Sequence, residues 1–395
     1  MFTPRFLIAK FLFTFLLLMT GCRKEVTKDN VAINSKTLNE VTNGPTKGSL
    51  LIIGGQGSKM LDDKFMQLAG GPESPIVVIP TAKESELLDK EHLEAYKKNF
   101  QDKGFKNVTV LHTKNPKEAN SDEFVAPINE AKGVWFGGGR QWRLADSYLN
   151  TKALEAFKGV LERGGVIAGT SAGASIQGSF LARGDSQSNL LPVGDHQKGF
   201  GFISNVAIDQ HILPRNRLFD MFQILDLHPE LLGIGIDEYT AILVKNNRLR
   251  VLGPSYVAIY DGTIWSEEKD SVYEAQDGER VFYLLRNGQE YDIEKRKVIT
   301  IKDRKFIKLP NSVLKKYEGV YQANGNLIMA LVVENDTLKV IQQWGNYNKY
   351  PIYPESITEF YDRQLMFEFQ IEKNGEVKSF KIPADNLDWI KIGEK

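Results

Sequence analysis

The sequence predicts an α/β fold, an open and mostly parallel sheet with flanking helices and a serine nucleophile elbow, followed by a small all-β C-terminal domain. Three observations predict it. From residue 48 to about 180, short apolar runs alternate with stretches of helical spacing, the pattern of strands joined by helices. One run ends in Gly169-x-Ser171-x-Gly173. After residue 311, short alternating runs are separated by Asn-Asp and Asn-Gly turns.

Charge and composition narrow the function classes. The chain of 395 residues has 50 basic and 50 acidic side chains, so its formal net charge is zero. No long basic run appears, and this balance argues against a nucleic-acid partner. The single cysteine, Cys22, has no second cysteine for a disulfide within the chain.

The segment 1–22 resembles a bacterial lipoprotein signal. Arg5 and Lys10 precede a short apolar region from Phe11 to Met19, and the small residues Thr20 and Gly21 precede Cys22. The alternative is an uncleaved anchor, but the apolar run is short for a membrane-spanning helix. We expect an exported protein, lipid-anchored through Cys22 to a bacterial membrane, with the polar residues 23–47 as a flexible tether.

Five apolar runs predict the strands of the first domain, which we place at 48–305. Helical apolar spacing predicts a helix within 84–103 and another that contains Leu144, Tyr148, Leu154 and Phe157. Further strands and hairpins between about 250 and 301 complete the domain. The five runs are 49–53, 75–81, 108–111, 132–136 and 166–170.

Ser171 is the candidate nucleophile. Glycines two residues before and after it allow the strained turn that exposes a serine hydroxyl, although the same small residues also suit tight packing of a strand on a helix. Gly54-Gly55 and Gly137 to Gly139 also follow predicted strands. Because the carboxyl ends of parallel strands meet at one edge of a sheet, we expect the three segments to converge.

The candidate base is His211, which an apolar strand delivers directly after Asp209 and Gln210. Arg215 and Arg217 follow, and paired guanidiniums suit the binding of carboxylates. Ion pairs of these arginines with Asp209 or Asp220 are the alternative.

A carboxylate to orient the histidine is predicted from Asp237-Glu238, which lies in an otherwise apolar segment where a buried acid needs a partner. His196, in a charged loop, and His228, before a proline, are weaker alternative bases.

These residues together resemble cyanophycinase and related dipeptidase E-like serine peptidases, over about residues 48 to 265. The matching segments are Gly169 to Ala174, Asp209-Gln210-His211 with Arg215 and Arg217, Gly235 to Ala241, and Phe136-Gly137-Gly138 with Gln141. The resemblance implies Ser171 as nucleophile, His211 as general base and acid, and Glu238 as its orienting carboxylate. It further implies an oxyanion hole formed by the backbone of Gly138 and Ala172.

The resemblance also implies a substrate. Cyanophycinases release β-aspartyl-arginine dipeptides from an aspartate polymer, and the positions matching their substrate pocket are Gln141, Asp209, Gln210, Arg215 and Arg217. The chain departs from the family pattern at Asp220, where another arginine is expected, which puts the polymer in doubt. No cofactor and no metal ion is implied. A homodimer is one option for the assembly.

Residues 311–395 predict a small β-rich domain, an antiparallel meander or small barrel, whose opening resembles a β domain appended to secreted serine hydrolases. Its aromatics, Trp344, Tyr347, Tyr350 and Tyr353, suit either core packing or a glycan or peptide platform. The leading expectation is hydrolysis of aspartyl-linked peptides, with cyanophycin favoured. The alternatives are an aspartyl or isoaspartyl dipeptidase acting on scavenged peptides and, from another class, a non-catalytic ligand-binding lipoprotein.

Overall fold

The computed structural model describes residues 42–276, 278–342, 348–362, 365–383 and 387–394. Cys22 with the predicted signal, most of the tether, Trp344 and Tyr347 lie outside the described residues. The last residues of the predicted tether are already folded: the Asn43 backbone N–H donates to Asn247 Oδ1 at 2.7 Å and the Gly44 N–H to Asn246 O at 2.9 Å. Residues 43 and 44, which the prediction places in the tether, therefore pair with the folded domain.

The first part of the chain alternates strands and helices as the sequence predicts. In chain order its elements are β1 (Ser49–Ile53), α1 (Lys59–Ala69), β2 (Ile76–Ile79), α2 (Lys90–Asp102), β3 (Val108–Val110), α3 (Pro116–Ala119), α4 (Asp122–Glu130), β4 (Gly133–Phe136), α5 (Gln141–Tyr148), α6 (Lys152–Glu162), β5 (Val166–Thr170) and α7 (Ala172–Ser175).

Strands predominate after α7. The remaining elements of this part are β6 (Val206–Gln210), α8 (Met221–Leu225), β7 (Leu232–Ile236), β8 (Ala241–Lys245), β9 (Arg248–Leu252), β10 (Val257–Tyr260), β11 (Thr263–Ser266), β12 (Ser271–Glu274), β13 (Tyr283–Leu285), β14 (Glu290–Asp292) and β15 (Lys297–Val298).

The main sheet has the order β15-β14-β9-β8-β1-β5-β4-β2-β3. The five predicted strands, β1 to β5, pair in parallel and form one half of it, while β8, β9, β14 and β15 extend it with antiparallel pairs. Apolar side chains pack on both faces of the sheet in two separate clusters. The predicted α/β class, with helices on both faces, is thus confirmed.

A second sheet, of order β13-β10-β7-β6, lies beside the first and was not specified by the sequence. Its strands β6 and β7 are parallel, and β7 leads into β8 of the main sheet. The strand that ends at His211 therefore belongs to a different sheet from the strand that ends at Ser171.

One of the two predicted helices differs from the structure. The single helix expected to contain Leu144 and Phe157 is divided into α5 and α6, because Asn150 adopts a left-handed φ of 60° and Thr151 caps the second helix by accepting the Leu154 N–H. The helix predicted within 84–103 is α2, which begins at Lys90, where Asp89 caps it.

The C-terminal part is a closed barrel with its own aromatic core. After a short helix α9 (Asn311–Leu314), its strands run antiparallel in chain order and the last pairs with the first, which confirms the small all-β domain. They are β16 (Gly319–Ala323), β17 (Leu327–Glu334), β18 (Thr337–Gln342), β19 (Lys349–Pro354), β20 (Glu359–Tyr361), β21 (Met366–Ile371), β22 (Val377–Ile382) and β23 (Leu387–Gly393).

A group of six charged side chains, here called the barrel cluster, joins the main sheet to the barrel. Glu290 is completely buried and lies 2.7 Å from guanidinium nitrogens of both Arg250 and Arg304. Arg250 reaches Glu359 at 3.1 Å, and Arg304 also stacks on the Tyr361 ring, 3.5 Å from its centroid. The cluster comprises Arg248, Arg250, Arg304, Glu290, Glu355 and Glu359.

Across the described ranges, no helix combines the length and the apolarity that crossing a membrane requires.

Candidate active site

Ser171 lies on a strained turn between β5 and α7. Its backbone has φ 56° and ψ −113°, a conformation that L-residues rarely adopt and that is often retained at functional sites. The flanking glycines are required by space: a Cβ on Gly169 would lie 2.1 Å from Gly173 O, and one on Gly173 would lie 2.2 Å from Phe136 O. Tight packing and exposure of the serine are therefore consequences of the same turn.

His211 lies at the end of β6, and its ring joins Ser171 to Glu238. Nε2 is 2.9 Å from Ser171 Oγ, and Nδ1 is 2.6 Å from Glu238 Oε1. Because a carboxylate accepts hydrogen bonds, Nδ1–H donates to Glu238 and Nε2 is left to accept the serine proton. His211 also has a left-handed backbone, with φ 56°, which turns the ring toward β5.

The surroundings of His211 keep its ring neutral. Burial lowers the pKa of His211 below its ordinary value, the hydrogen bond that His211 donates to Glu238 opposes this effect, and the positive charges of Arg215 and Arg217 reinforce it. A neutral imidazole at neutral pH is the form that can take a proton.

The glycine pair after β1 provides close contact with the histidine. A Cβ on Gly55 would lie 2.5 Å from His211 Nδ1 and 2.7 Å from Glu238 Cγ. The His211 N–H donates to Gly54 O at 3.0 Å, and Thr170 Oγ1 donates to Gly55 O. The three glycine-containing segments therefore converge at one edge of the sheet.

Two backbone N–H groups are available beside the serine. A Cβ on Gly138 would lie 3.3 Å from Ser171 Cβ, so this residue touches the nucleophile turn. In the part of the chain that the structure describes, neither the Gly138 nor the Ala172 N–H donates to a backbone or side-chain acceptor. Two such donors beside a nucleophile suit the oxygen of a tetrahedral intermediate.

Asp237, the neighbour of Glu238, points to a different set of partners. It accepts hydrogen bonds from the Leu213 N–H at 3.1 Å and from Ser255 Oγ at 2.5 Å. It thereby fixes the segment that follows His211, and Glu238 is the acid that contacts the imidazole.

Arg183 was not selected as a site residue from the sequence, yet it organises the acidic side chains of this region. Its guanidinium makes two 2.8 Å hydrogen bonds to the carboxylate of Asp209 and one of 2.5 Å to Asp220. Its side chain is 1% exposed. Both carboxylates are therefore already paired, and Asp220 does not present an unpaired negative charge. A lone arginine in a polar loop gives no spacing signal that would have found it.

The other residues predicted to line the substrate pocket are Gln141, Gln210, Arg215 and Arg217. Gln141 is buried and donates to Ala182 O at 2.7 Å. Arg217 donates to Gln210 O at 3.1 Å and to Gln210 Oε1 at 3.2 Å, and it lies 3.8 Å from Asp209. Burial lowers the pKa of Arg217 to about 10, so it stays cationic at neutral pH. Arg215 is exposed.

We call Arg183, Asp209, Arg217 and Asp220, with Arg215 at the exposed edge, the site cluster. It contains three guanidiniums and two carboxylates. The surplus cation favours a ligand that carries carboxylates.

The alternative bases have other partners. His196 is held between Asp146, at 2.9 Å, and Asp195, at 3.0 Å. The ring of His228 packs on Phe180, with 4.9 Å between ring centroids. His211 alone among the histidines of the described ranges has a hydrogen bond to Ser171. Nor do those ranges contain a group of three or more His, Cys, Asp or Glu placed to hold a metal ion.

A sheet that presents a serine at its edge, backed by a histidine and a carboxylate, defines a serine hydrolase. Residues 50–252 match the model of Peptidase family S51, and the chain belongs to that family of serine-type peptidases. This confirms the resemblance drawn from the sequence motifs.

The proteins to which the chain is similar include two cyanophycinases. The chain is 30% identical over 258 residues to a cyanophycinase of Geminocystis herdmanii (strain PCC 6308), a match that covers 62% of this chain and 94% of the relative. It is 31% identical over 241 residues to a cyanophycinase of Nostoc sp. (strain PCC 7120 / SAG 25.82 / UTEX 2576), a match that covers 58% of this chain and 79% of the relative. Among solved structures, a peptidase from an acI-B1 Actinobacterium superposes with a TM-score of 0.48 at 23% identity, covering 63% of this chain and 98% of that one.

Proposed function

We propose that the protein is an exported, lipid-anchored serine peptidase that hydrolyses aspartyl-linked peptides through an acyl-enzyme, with cyanophycin as the favoured substrate. The observation that carries the proposal is the line of hydrogen bonds from Ser171 through His211 to Glu238, at 2.9 and 2.6 Å. These are the contacts that a serine nucleophile, a general base and an orienting carboxylate require.

The proposed reaction has two halves. Ser171 Oγ attacks the scissile carbonyl carbon while His211 Nε2 takes the hydroxyl proton, and the carbonyl oxygen becomes an oxyanion facing the N–H groups of Gly138 and Ala172. The intermediate then expels the amine, which receives the proton from His211. Water repeats the attack with the same base, and cleavage of the ester bond releases the acid and restores the serine.

Substrate recognition is assigned to the site cluster. Arg215 and Arg217 supply positive charge next to His211, and aspartyl substrates carry carboxylates that guanidiniums bind in pairs. The cyanophycinases among its relatives make the aspartate polymer the favoured candidate.

A specific contact favours a second candidate, an aspartyl or isoaspartyl dipeptidase. Cyanophycin carries arginine on its side chains, and a pocket for arginine needs a free carboxylate. Here Asp209 is 3% exposed and bonded through both oxygens to Arg183, so it is not available to a substrate guanidinium. Short aspartyl peptides without arginine do not need that contact.

Ser171→Ala tests the chemistry. We expect hydrolysis to fall by several orders of magnitude without a change in the unfolding transition, since the hydroxyl is the attacking group. Ser175→Ala is the matched control, because it removes a buried hydroxyl one turn further along and should keep activity. A fluorophosphonate probe should label the wild type and Ser175→Ala but not Ser171→Ala. Unchanged turnover in Ser171→Ala would refute the assignment.

Substrate choice is tested on the wild type with two sets of substrates. Release of soluble dipeptides from cyanophycin supports the polymer as substrate. Turnover of short aspartyl or isoaspartyl peptides without release from the polymer supports the dipeptidase. Labelling of Ser171 without turnover of either set would contradict both.

Export and anchoring are tested at Cys22 in a bacterial host. We expect the wild-type protein to fractionate with membranes and to enter the detergent phase, and Cys22→Ala to lose both properties. The same partition for both proteins would contradict a lipid anchor at this residue.

A further inference from the structure

A pocket lies next to the nucleophile turn, on the α1 and α2 side of the main sheet. It has a volume of about 440 Å³, and Gly137, Gly138 and Thr170 form its edge nearest Ser171. Gly138 touches the Ser171 turn, and Thr170 precedes the serine directly. A substrate bound at Ser171 therefore has access to this pocket, whereas none of the residues of the site cluster lines it.

The lining of the pocket combines apolar side chains with basic ones. Val78, Phe100 and Trp135 contribute apolar surface, and Lys59, Lys83 and Lys103 contribute ammonium groups. Asp62 is the one acidic residue of the lining, and it is paired with Lys103 at 3.1 Å. The lining thus carries more positive than negative charge.

Lys83 is the ammonium left for a ligand. Lys59 is paired with Asp63 at 2.7 Å, and Lys103 is paired with Asp62, whereas Lys83 has no side-chain hydrogen bond or ion pair to any residue that the structure describes. The backbone of Lys83 is nevertheless held in place. The Lys83 N–H donates to Pro80 O at 2.9 Å, closing a turn at the end of β2.

The Lys83 turn is also packed against the glycine loop of the site. The Arg140 N–H donates to Ala82 O at 2.8 Å, and a Cβ on Gly139 would lie 2.1 Å from the same oxygen. The backbone that presents Lys83 is therefore in direct contact with the backbone that presents the Gly138 N–H. The Lys83 ammonium, on its flexible four-carbon stem, therefore extends from a backbone that is held next to the glycine loop.

We propose that this pocket is a subsite for the leaving portion of the peptide, and that Lys83 binds its terminal carboxylate. The inference rests on the proposed function, which assigns the aspartyl carboxylates to Arg215 and Arg217, residues that do not line this pocket. The residue after the scissile bond then enters the pocket. Its side chain meets the Lys103 side chain, which lies over the rings of Phe100 and Trp135 with Nζ 5.0 and 5.7 Å from their centroids. An aspartyl dipeptide has its free carboxylate at that position.

The test compares Asp-Leu with its C-terminal amide, which removes the negative charge and keeps the shape. Binding is measured by calorimetry in the Ser171→Ala background, with and without Lys83→Gln, so the readout does not depend on turnover. We expect Lys83→Gln to weaken binding of Asp-Leu about tenfold, as for the loss of one charge-assisted hydrogen bond, and to leave binding of the amide unchanged. Lys98→Gln is the control, because Lys98 lies on α2 outside the pocket.

Three results would overturn the subsite: equal weakening for the acid and the amide, no weakening for either, or the same effect from Lys98→Gln. Turnover by the wild type separates this outcome from failure of the proposed function. If the wild type hydrolyses Asp-Leu but Lys83→Gln does not weaken its binding, only the proposed subsite is contradicted. A wild type that hydrolyses neither cyanophycin nor any short aspartyl peptide contradicts the proposed function, whatever its binding of Asp-Leu.

Discussion

The site cluster and the barrel cluster are built from the same chemistry but differ in charge balance. The barrel cluster sets three guanidiniums against three carboxylates, and its central Glu290 is completely buried. The site cluster sets three guanidiniums against two carboxylates, and its extra cation, Arg215, is exposed. Matched charges in the barrel cluster leave nothing for a ligand, while the unmatched charge lies next to His211.

This difference separates a structural use of buried ion pairs from a functional one. Burying a charge costs free energy that only good pairing offsets, so a cluster that joins two hydrophobic cores is expected to be balanced. A cluster that binds a charged substrate is completed only when the substrate arrives. Each cluster therefore predicts a different response when one member is removed.

Arg183→Ala should have the largest effect, because it removes the centre of the site cluster. It leaves Asp209 buried without its partner, and we expect a loss of about 3–5 kcal/mol in the free energy of unfolding. We also expect turnover of aspartyl peptides to fall more than about a hundredfold, since Asp209 lies on β6, the strand that His211 directly follows. Denaturant unfolding and steady-state kinetics measure the two effects.

Arg183→Lys is the matched variant for this prediction. It keeps one positive charge but cannot form two parallel hydrogen bonds to Asp209, so it should recover part of the stability and little of the turnover. Full turnover in Arg183→Ala, measured where that variant is folded, would show that the site cluster does not position the catalytic strand.

Glu290→Ala should affect stability alone. It leaves the guanidiniums of Arg250 and Arg304 without their shared carboxylate, and we again expect a loss of about 3–5 kcal/mol in the free energy of unfolding. Below its unfolding transition the variant should hydrolyse aspartyl peptides at the wild-type rate. Glu290→Gln keeps the shape and should be less destabilised. A large fall in kcat for folded Glu290→Ala would break the proposed division between the two clusters.

The two clusters also show what the sequence could and could not predict. The parallel strands and the spacing of Ser171, His211 and Glu238 follow from local patterns, since each residue directly follows an apolar run or lies in one. The residues that complete the clusters lie far apart in the chain: Arg183 pairs with Asp209 and with Asp220, and Arg250 with Glu290 and Glu359. No periodicity links such positions, so their pairing depends on the folded chain.

The break between α5 and α6, which the prediction missed, has a local cause. Thr151 is a good N-cap residue, and Asn150 before it tolerates a left-handed backbone, so the break between α5 and α6 had a signal in the sequence. The apolar spacing continues across the break and concealed it. The barrel, in contrast, was expected as a barrel or a meander, because closure depends on the pairing of β16 with β23 at opposite ends of the domain.

Asp220→Asn should have a small effect on stability, and it tests whether the Asp220 carboxylate contacts the substrate. Asp220 is 30% exposed and bonds Arg183 at 2.5 Å, but Arg183 keeps both bonds to Asp209 without it. We expect a loss of about 1 kcal/mol in stability and no change in the preference between cyanophycin and aspartyl dipeptides. Competition between the two substrates measures that preference. A changed preference would mean that the Asp220 carboxylate contacts substrate directly.

The smallest effect is expected in the pH profile, where the surplus cation acts on His211. The enzyme needs the neutral imidazole, so kcat/KM falls as the pH drops through the pKa of His211. Burial and the two nearby arginines hold that pKa below the ordinary value of about 6.5, which places the acid limb below that pH. Arg215→Gln removes one of the cations and should move the limb to higher pH, even if its maximal rate is lower. Lys98→Gln, a comparable charge loss on α2, should leave the limb in place. An Arg215→Gln limb that stays in place, or moves to lower pH, would mean that the unmatched guanidinium of the site cluster does not act on the histidine.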